Sequence, residues 1–308
     1  LFKLNTSSSF IKILNKAVNK IMNNEKIGTI CNELGSENIS SSNLGFINKL
    51  KSIFIPKADI SKKSYVILGI TGFASVLIIW SLLTYTGVVD KLFLPTPTDT
   101  LKAALTMFSE LGFFKDIMST ISIVMIGFVV SAIVAVPLGI LIGTYKPFEA
   151  FFEPLLSFVR YLPASAFIPL FILWIGVNDI EKIAVIFMGS FFQLVLMVAV
   201  ATSNVKQELI DVAYTLGTSK YSVTWRIILP YTLPSIVDSL RIILGWAWTY
   251  VIVAELVGAS AGIGYTIIQA QRMLATKNIF VGILTIGIIG LCFDYCFKLL
   301  YKKLFPWN

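Results

Sequence analysis

The chain has 308 residues, of which 56% are hydrophobic and 14% charged, and its mean hydropathy is +0.82. A soluble domain carries about a quarter charged residues, so this composition excludes an ordinary soluble protein and indicates a membrane protein. The net charge is +8, and most of the excess precedes the first apolar segment, where it favours contact with anionic membrane lipid over contact with nucleic acid. The sequence contains no histidine, which excludes His-based acid–base catalysis and His metal sites. Because it also has no metal-ligand cluster and no nucleophile–base arrangement, we predict neither a catalytic residue nor a metal site.

Residues 1–56 are predicted to form a polar tail, and residues 57–308 a membrane domain. In the tail, apolar residues recur at helical spacing between Phe10 and Ile21, with lysines among them. This pattern is typical of a basic amphipathic helix on a membrane surface. The same basic composition is also typical of a targeting segment, and the sequence leaves both interpretations open.

Six apolar segments follow, each long enough at about 1.5 Å per residue to cross a hydrocarbon layer of about 30 Å. They are predicted at 65–89, 117–143, 151–176, 183–202, 227–256 and 280–301. Pro154 and Pro163 are predicted to break or kink the third segment. Between the first and second segments, a cap at Thr98 or Thr100 predicts a short amphipathic helix outside the membrane.

The placement of Lys and Arg residues predicts the orientation of the spans. With both termini inside, the inner connections carry more Lys and Arg residues than the outer ones. This bias predicts cytoplasmic termini in an integral protein of a bacterial-type inner membrane. It also places the connection at 203–226, between the fourth and fifth spans, in the cytoplasm.

The 203–226 connection carries a helix–turn–helix pattern. Acidic residues including Asp211 precede basic ones, which complements the dipole of a short helix. Gly217 permits a tight helix end and a turn. A second amphipathic piece at Ser222–Ile228 leads to Pro230, where the fifth span is predicted to begin.

The spacing of this connection resembles the EAA motif of binding-protein-dependent ABC importer permeases. Counted from Asp211, which stands where the family has Glu, the positions in register are Ala213, Gly217, Ile227, Leu229 and Pro230. Val212 stands where the family has Ala. The resemblance covers about residues 65–307, and the stretches 94–98, 160–176, 240–248 and 254–264 look like the nitrate/sulfonate/taurine branch.

The resemblance implies an all-α membrane protein, a MetI-like type I ABC importer permease bundle with a cytoplasmic coupling helix. The implied partners are ABC ATPase subunits, a second copy of the permease and an extracytoplasmic solute-binding protein. The implied cargo is a small anion such as nitrate, a sulfonate or taurine. This chain has no G-x-x-x-x-G-K-[ST] segment, so ATP and Mg²⁺ are expected on the ATPase, and this chain is expected to be non-catalytic.

Two sets of site residues follow. The resemblance implies that residues 205–226, here called the coupling loop, and the start of the next span contact the ATPase through Asp211, Ala213, Gly217, Thr218, Ser219, Ile227, Leu229 and Pro230. Polar and aromatic residues within spans are candidates for the translocation path, because ionisable groups there usually face an interior or water. The candidates are Arg160, Gln193, Arg241, Trp246 and Glu255.

Several alternatives remain open from the sequence. Arg241 can pair with Asp238 three residues away as a structural ion pair. Asp294 has no partner that the sequence identifies. Glu255 precedes a glycine-rich loop that is either an outer gate or a close helix crossing. An ion-coupled secondary transporter using Asp294 is the alternative function, and co-purification with an ATPase discriminates it from an ABC permease.

Overall fold

The computed structural model describes residues 61–307, which consist of helices and turns without a strand. The predicted tail at 1–56 lies outside the described residues. The helices are α1 Lys62–Tyr85, α2 Pro97–Ser109, α3 Phe113–Thr144, α4 Lys146–Val159, a 3₁₀ turn Ala164–Phe167, α5 Ile168–Ile175, α6 Asp179–Ser203, α7 Gln207–Thr215, α8 Lys220–Val223, a π-turn Thr224–Ile228, α9 Leu229–Gly258, α10 Ile263–Arg272 and α11 Thr276–Leu304.

The described chain divides into two units within α1, after Ala74. The first unit contributes the beginning of α1, and the second contains the rest of that helix and the bundle. Within the second unit, the Trp80 indole Nε1–H donates to the Pro95 carbonyl at 3.0 Å, and its ring stacks on Phe280 at 5.8 Å. These contacts fix the C-terminal end of α1.

The short helix before the second span is present, but its predicted caps are wrong. Thr96 caps α2, because its hydroxyl accepts from the Asp99 N–H at 3.1 Å, and Pro97 is the first helical residue. Proline suits that position, since its φ is already helical and the N–H it lacks would have no helical partner. Thr98 and Thr100 therefore lie inside the first turn.

Helices α3, α6 and α9 form the core, and α3 and α6 make the most extensive contact. Glycines on α3 allow this approach: a Cβ at Gly127 would lie 2.9 Å from Ile186, and one at Gly139 would lie 2.7 Å from Val198. Small residues let two membrane helices come close enough for extensive van der Waals contact. The close contact of α3 with α6 thus depends on this glycine-bearing face.

The third predicted span consists of two helices, α4 and α5, bent by 78°. Pro163 lies at the break, where it lacks a donor and disfavours helix for the residue before it. The prediction of a break is confirmed at Pro163, but Pro154 remains inside α4. One missing N–H is tolerated when neighbouring residues keep the helix intact.

Contacts at both ends show that the bent pair crosses the bundle as one span. Before α4, the Tyr145 hydroxyl lies 3.2 Å from that of Thr224. After α5, Val177 would lie 3.2 Å from a Cβ placed on Gly258. Thr224 and Gly258 lie at opposite ends of one long helical segment, so the bent pair counts as one span. With it, the described residues contain six apolar segments long enough to cross a membrane, and without it five.

No helix boundary falls at Pro230, where the fifth span is predicted to begin. The helical segment begins at Lys220 and reaches Gly258, 39 residues or about 58 Å. It passes Pro230 through the π-turn, in which the Leu229 N–H bonds to the Thr224 carbonyl. The wider turn relieves the collision between a proline ring and the carbonyl four residues earlier. The segment is about twice as long as the hydrocarbon layer, so its first turns extend beyond that layer.

Candidate functional site

The coupling loop contains two short helices, α7 and α8, joined by a hydrogen-bonded turn. Gly217 follows α7 with φ +78°, a conformation that glycine adopts without a side-chain clash. The Thr218 N–H bonds to the Ala213 carbonyl and the Gly217 N–H to the Tyr214 carbonyl, each at 3.0 Å. These two bonds define a Schellman motif. Ser219 then caps α8 by accepting from the backbone N–H of Ser222 at 3.3 Å.

The coupling loop has one buried and one exposed apolar face. Its buried cluster comprises Val205, Ala213, Val223 and Ile228, with Ile210 and Ile227 packed against it. Large apolar side chains elsewhere on the loop are exposed, most of all those of Val212, Leu216, Tyr221 and Trp225. Exposed side chains of this kind, concentrated on a loop beyond the spans, are typical of a protein interaction surface.

The predicted coupling residues divide between these two faces. Ala213 and Ile227 hold the loop together, whereas Asp211, Gly217 and Ser219 are exposed. The Asp211 carboxylate accepts from the Gln207 amide at 2.9 Å, one helical turn earlier. The remaining residues, Thr218, Leu229 and Pro230, lie at the turn and where the loop joins α9.

A cavity of about 540 Å³ lies at the break between α4 and α5. It is lined by residues 159–165 of the break, by α6 and by α9. The predicted path residues Arg160, Gln193 and Trp246 meet here, and Tyr250 lines the same cavity. The structure therefore places one cation, one amide and four aromatic side chains around a single space between the helices.

Arg160 carries a positive charge at this cavity. Its guanidinium donates to the Tyr161 hydroxyl at 3.1 Å and lies 5.0 Å from the centre of that ring. Within residues 61–307 it forms no ion pair. A cation without a carboxylate partner, beside the amide of Gln193, provides donors and charge for an anion.

Arg241 belongs to an ion-pair network outside this cavity. Its guanidinium lies 3.6 Å from Asp238 and 3.7 Å from Asp294. Lys298 is 2.6 Å from the other carboxylate oxygen of Asp294. The predicted Asp238–Arg241 pair is confirmed, and Asp294, for which the sequence identified no partner, joins α11 to α9.

Glu255 is not among the residues that line the cavity. Its side chain is 1% exposed, and its carboxylate accepts from the Thr120 hydroxyl at 2.8 Å and from the Gly264 N–H at 2.7 Å. A Cβ at Gly264 would lie 2.6 Å from that of Glu255, and one at Gly262 would overlap the carboxylate. Of the two alternatives for this loop, the structure shows the close helix crossing.

Asp116 completes the contacts around Glu255. It accepts from the Gly262 N–H at 3.1 Å and from the Thr266 hydroxyl at 2.8 Å. We call Asp116, Thr120, Glu255, Gly262 and Gly264 the Glu255 cluster; it joins α3, α9 and α10. Sequence reasoning missed Asp116 and Thr120, because they lie more than a hundred residues from their partners and have no local signature.

Comparison with known proteins identifies the family. Residues 135–307 match the family described as binding-protein-dependent transport system inner membrane component. A probable ABC transporter permease of Brucella abortus (strain 2308) is 37% identical over 229 residues, covering 74% of this chain and 90% of the relative. The taurine transport system permease TauC of Escherichia coli (strain K12) is 29% identical, covering 79% and 90%. The putative aliphatic sulfonates transport permease SsuC of Bacillus subtilis (strain 168) is 33% identical, covering 76% and 85%.

A solved structure shares the fold. The methionine ABC transporter MetNI in an inward-facing conformation contains a chain that matches with a TM-score of 0.56 and 17% identity. The match covers 62% of this chain and 95% of that one. It confirms the predicted MetI-like type I bundle.

Five to six apolar spans, a cavity between the helices and a loop with exposed apolar side chains define the class, an integral membrane transport subunit. The chain belongs to the binding-protein-dependent transport family: it is a permease subunit of an ATP-driven ABC importer of the inner membrane. Family membership decides against the ion-coupled secondary transporter that the sequence had left open.

Proposed function

We propose that this permease passes a small anion, of the class that includes sulfonates, taurine and nitrate, along a path through the cavity at Arg160. The observation that carries the proposal is a cation without an ion-pair partner in the described chain, positioned at the break of a span. A charged side chain within a span is costly, and such residues mark solute pathways. The names of the relatives, one for taurine and one for aliphatic sulfonates, support the same class.

The proposed assembly has two copies of this permease, two ATPase subunits and an extracytoplasmic solute-binding protein in the lipid bilayer. ATP and Mg²⁺ bind to the ATPase subunits. The coupling loop lies on the cytoplasmic side, where Val212, Leu216 and Tyr221 insert into a groove of the ATPase. Closure of the ATPase dimer draws the two loops together and turns the bundle from inward-open to outward-open, a rigid-body transition between two states.

Replacing Arg160 tests the proposed path. We expect Arg160→Gln to reduce uptake of labelled taurine or an alkanesulfonate by about 10- to 100-fold, since a hydrogen bond to a charged group contributes about 1.5–3 kcal/mol. Arg160→Lys keeps the charge and should retain part of the uptake. The measurement is ATP-driven uptake into liposomes containing the whole transporter and its binding protein.

Arg272→Gln is the matched control, because Arg272 ends α10 away from the cavity. It should leave uptake within about twofold of the wild type, as expected for an exposed surface charge. Unchanged uptake in Arg160→Gln would contradict the proposal. So would a wild-type transporter that takes up an uncharged solute but no anion.

A further inference from the structure

A second pocket, of about 310 Å³, lies between α9 and the C-terminal part of α11. We call it the basic pocket; its charged lining residues are Asp238, Arg241, Lys298 and Lys302. Three cations thus face one carboxylate, and Asp294 beside them compensates only one more charge. The pocket keeps a net positive charge, and it is separate from the cavity at Arg160.

The cations of the basic pocket retain unused donors. The distances of Arg241 to its two carboxylates, 3.6 and 3.7 Å, exceed the length of about 2.7–2.9 Å that is usual for a charged hydrogen bond. Lys302 forms no ion pair within the described part of the chain. Lys298 directs its bond to Asp294 and has further ammonium hydrogens available. An anion entering the pocket would therefore find donors from both helices.

An exposed apolar stripe continues from the basic pocket along α11. It consists of Ile288, Leu291, Tyr295 and Leu299, all exposed, and their spacing of three and four residues places them on one helix face. Tyr295 and Leu299 also line the pocket, so the stripe and the charged site are continuous. This combination matches an amphiphile, with an anionic group at one end and a hydrocarbon chain along the helix.

The position along the span fits the membrane surface. Helix α11 has 29 residues, about 43 Å, which exceeds a hydrocarbon layer of about 30 Å. Lys302 lies in its last turn, and the extra length lets this turn extend beyond the hydrocarbon layer, to the level of the phospholipid head groups. Basic pockets between membrane helices at this depth attract anionic head groups.

We propose that the basic pocket binds the head-group phosphate of an anionic phospholipid, with an acyl chain lying on the stripe of Ile288, Leu291, Tyr295 and Leu299. The bound lipid bridges α9 and α11 through Arg241, Lys298 and Lys302. This site goes beyond solute transport and does not depend on which solute passes the Arg160 cavity.

Lys302→Gln provides the sharpest test, because Lys302 lines the pocket without an ion pair in the described chain and its loss leaves the Arg241 network in place. Lys303→Gln is the matched control: it removes the same charge from the next residue, which lies outside the pocket lining. Purified whole transporter is titrated with phosphatidylglycerol or phosphatidylcholine, and bound lipid is counted by native mass spectrometry. We expect phosphatidylglycerol to bind the wild type more tightly than phosphatidylcholine, and Lys302→Gln to weaken it about fivefold.

Three results would overturn the proposal. The first is equal binding of the two lipids by the wild type. The second is an equal effect of Lys302→Gln and Lys303→Gln, which would show that the lipid is attracted by surface charge in general and not by the pocket. The third is displacement of phosphatidylglycerol by millimolar inorganic phosphate, which would assign the pocket to a free anion. Retention of phosphatidylglycerol under inorganic phosphate, together with weakening only in Lys302→Gln, supports the lipid site.

Discussion

The carboxylate of Glu255 shows how single glycines determine the packing of this bundle. A buried carboxylate is costly unless its oxygens are bonded, and each oxygen of Glu255 accepts one hydrogen bond, from Thr120 or from Gly264. The Gly264 N–H reaches the carboxylate because no side chain separates the two backbones. Both glycines are therefore required by volume, and Gly262, with φ +118°, is required by backbone conformation as well.

Gly264→Ala is expected to destabilise the protein by about 1–3 kcal/mol, as is usual when a well-packed site is overfilled. The added Cβ would lie 2.6 Å from that of Glu255, a separation at which one of the two helices must shift. Thermal unfolding of the purified permease in detergent measures the effect. Gly287→Ala is the control, because a Cβ there has no heavy atom within 4 Å; equal melting temperatures for the two variants would contradict the role of Gly264.

The sequence brings together only three of the five residues of the Glu255 cluster. Glu255, Gly262 and Gly264 are close along the chain, so a tight approach was one of two predicted alternatives. Thr120, which donates to Glu255, is 135 residues away, and nothing in the local pattern around Thr120 distinguishes it from other threonines in a span. Pairing across that separation depends on how α3 packs against α9, which helical periodicity does not encode.

At the scale of helices, two adjacent residues of α7 have opposite environments. Val212 is 57% exposed, whereas Ala213 is 4% exposed and belongs to the cluster that holds the coupling loop together. Successive residues of a helix point about 100° apart, so one of two neighbours can face a partner protein while the other packs into the core. This separation allows docking and stability to be tested independently.

Val212→Asp should abolish stable association with the ATPase while leaving the melting temperature of the permease unchanged, because a charge would be placed on an exposed apolar surface. Ala213→Leu should lower the melting temperature by overfilling the cluster, at a cost of about 1–3 kcal/mol. Co-purification of the ATPase and thermal unfolding, measured on both variants, separate the two effects. A Val212→Asp permease that retains the ATPase would contradict the docking surface.

Prolines show the limit of prediction for helices. Pro163 breaks a span, Pro154 remains inside a helix, and Pro230 is accommodated by a π-turn. The residue type is the same in all three cases, and it removes the same N–H. The surrounding packing decides between a break, a tolerated gap and a widened turn. The six apolar segments and a break in the third were therefore predictable, whereas which proline makes the break, and the π-turn at Pro230, were not.

For the molecule as a whole, contacts establish which segments share an end of the bundle. Tyr145 lies beside Thr224 at one end, and Asp116 bonds to Thr266 at the other. The coupling loop therefore lies at the Tyr145 end, and the connection between α2 and α3 lies at the opposite end. The distribution of Lys and Arg residues predicts that the Tyr145 end is cytoplasmic.

Cysteine labelling tests this orientation. The three native cysteines, Cys31, Cys292 and Cys296, are first replaced by alanine, and one cysteine is then introduced as Ser219→Cys or Glu110→Cys. Both positions are exposed, so reactivity with a membrane-impermeant maleimide reports the side of the membrane. In right-side-out vesicles we expect Glu110→Cys to react at once and Ser219→Cys to react only after permeabilisation.

A bound ATPase connects this orientation to function. If the coupling loop occupies a groove of the ATPase, Ser219→Cys in permeabilised vesicles should react more slowly when the ATPase is present, because the groove covers the turn at Gly217. Glu110→Cys, at the opposite end, should show no such protection and so controls for nonspecific shielding. Labelling of Ser219→Cys in sealed right-side-out vesicles would show that the orientation is the opposite of the predicted one. The exposed apolar side chains of the loop would then lie outside the cell, where no ATPase can reach them.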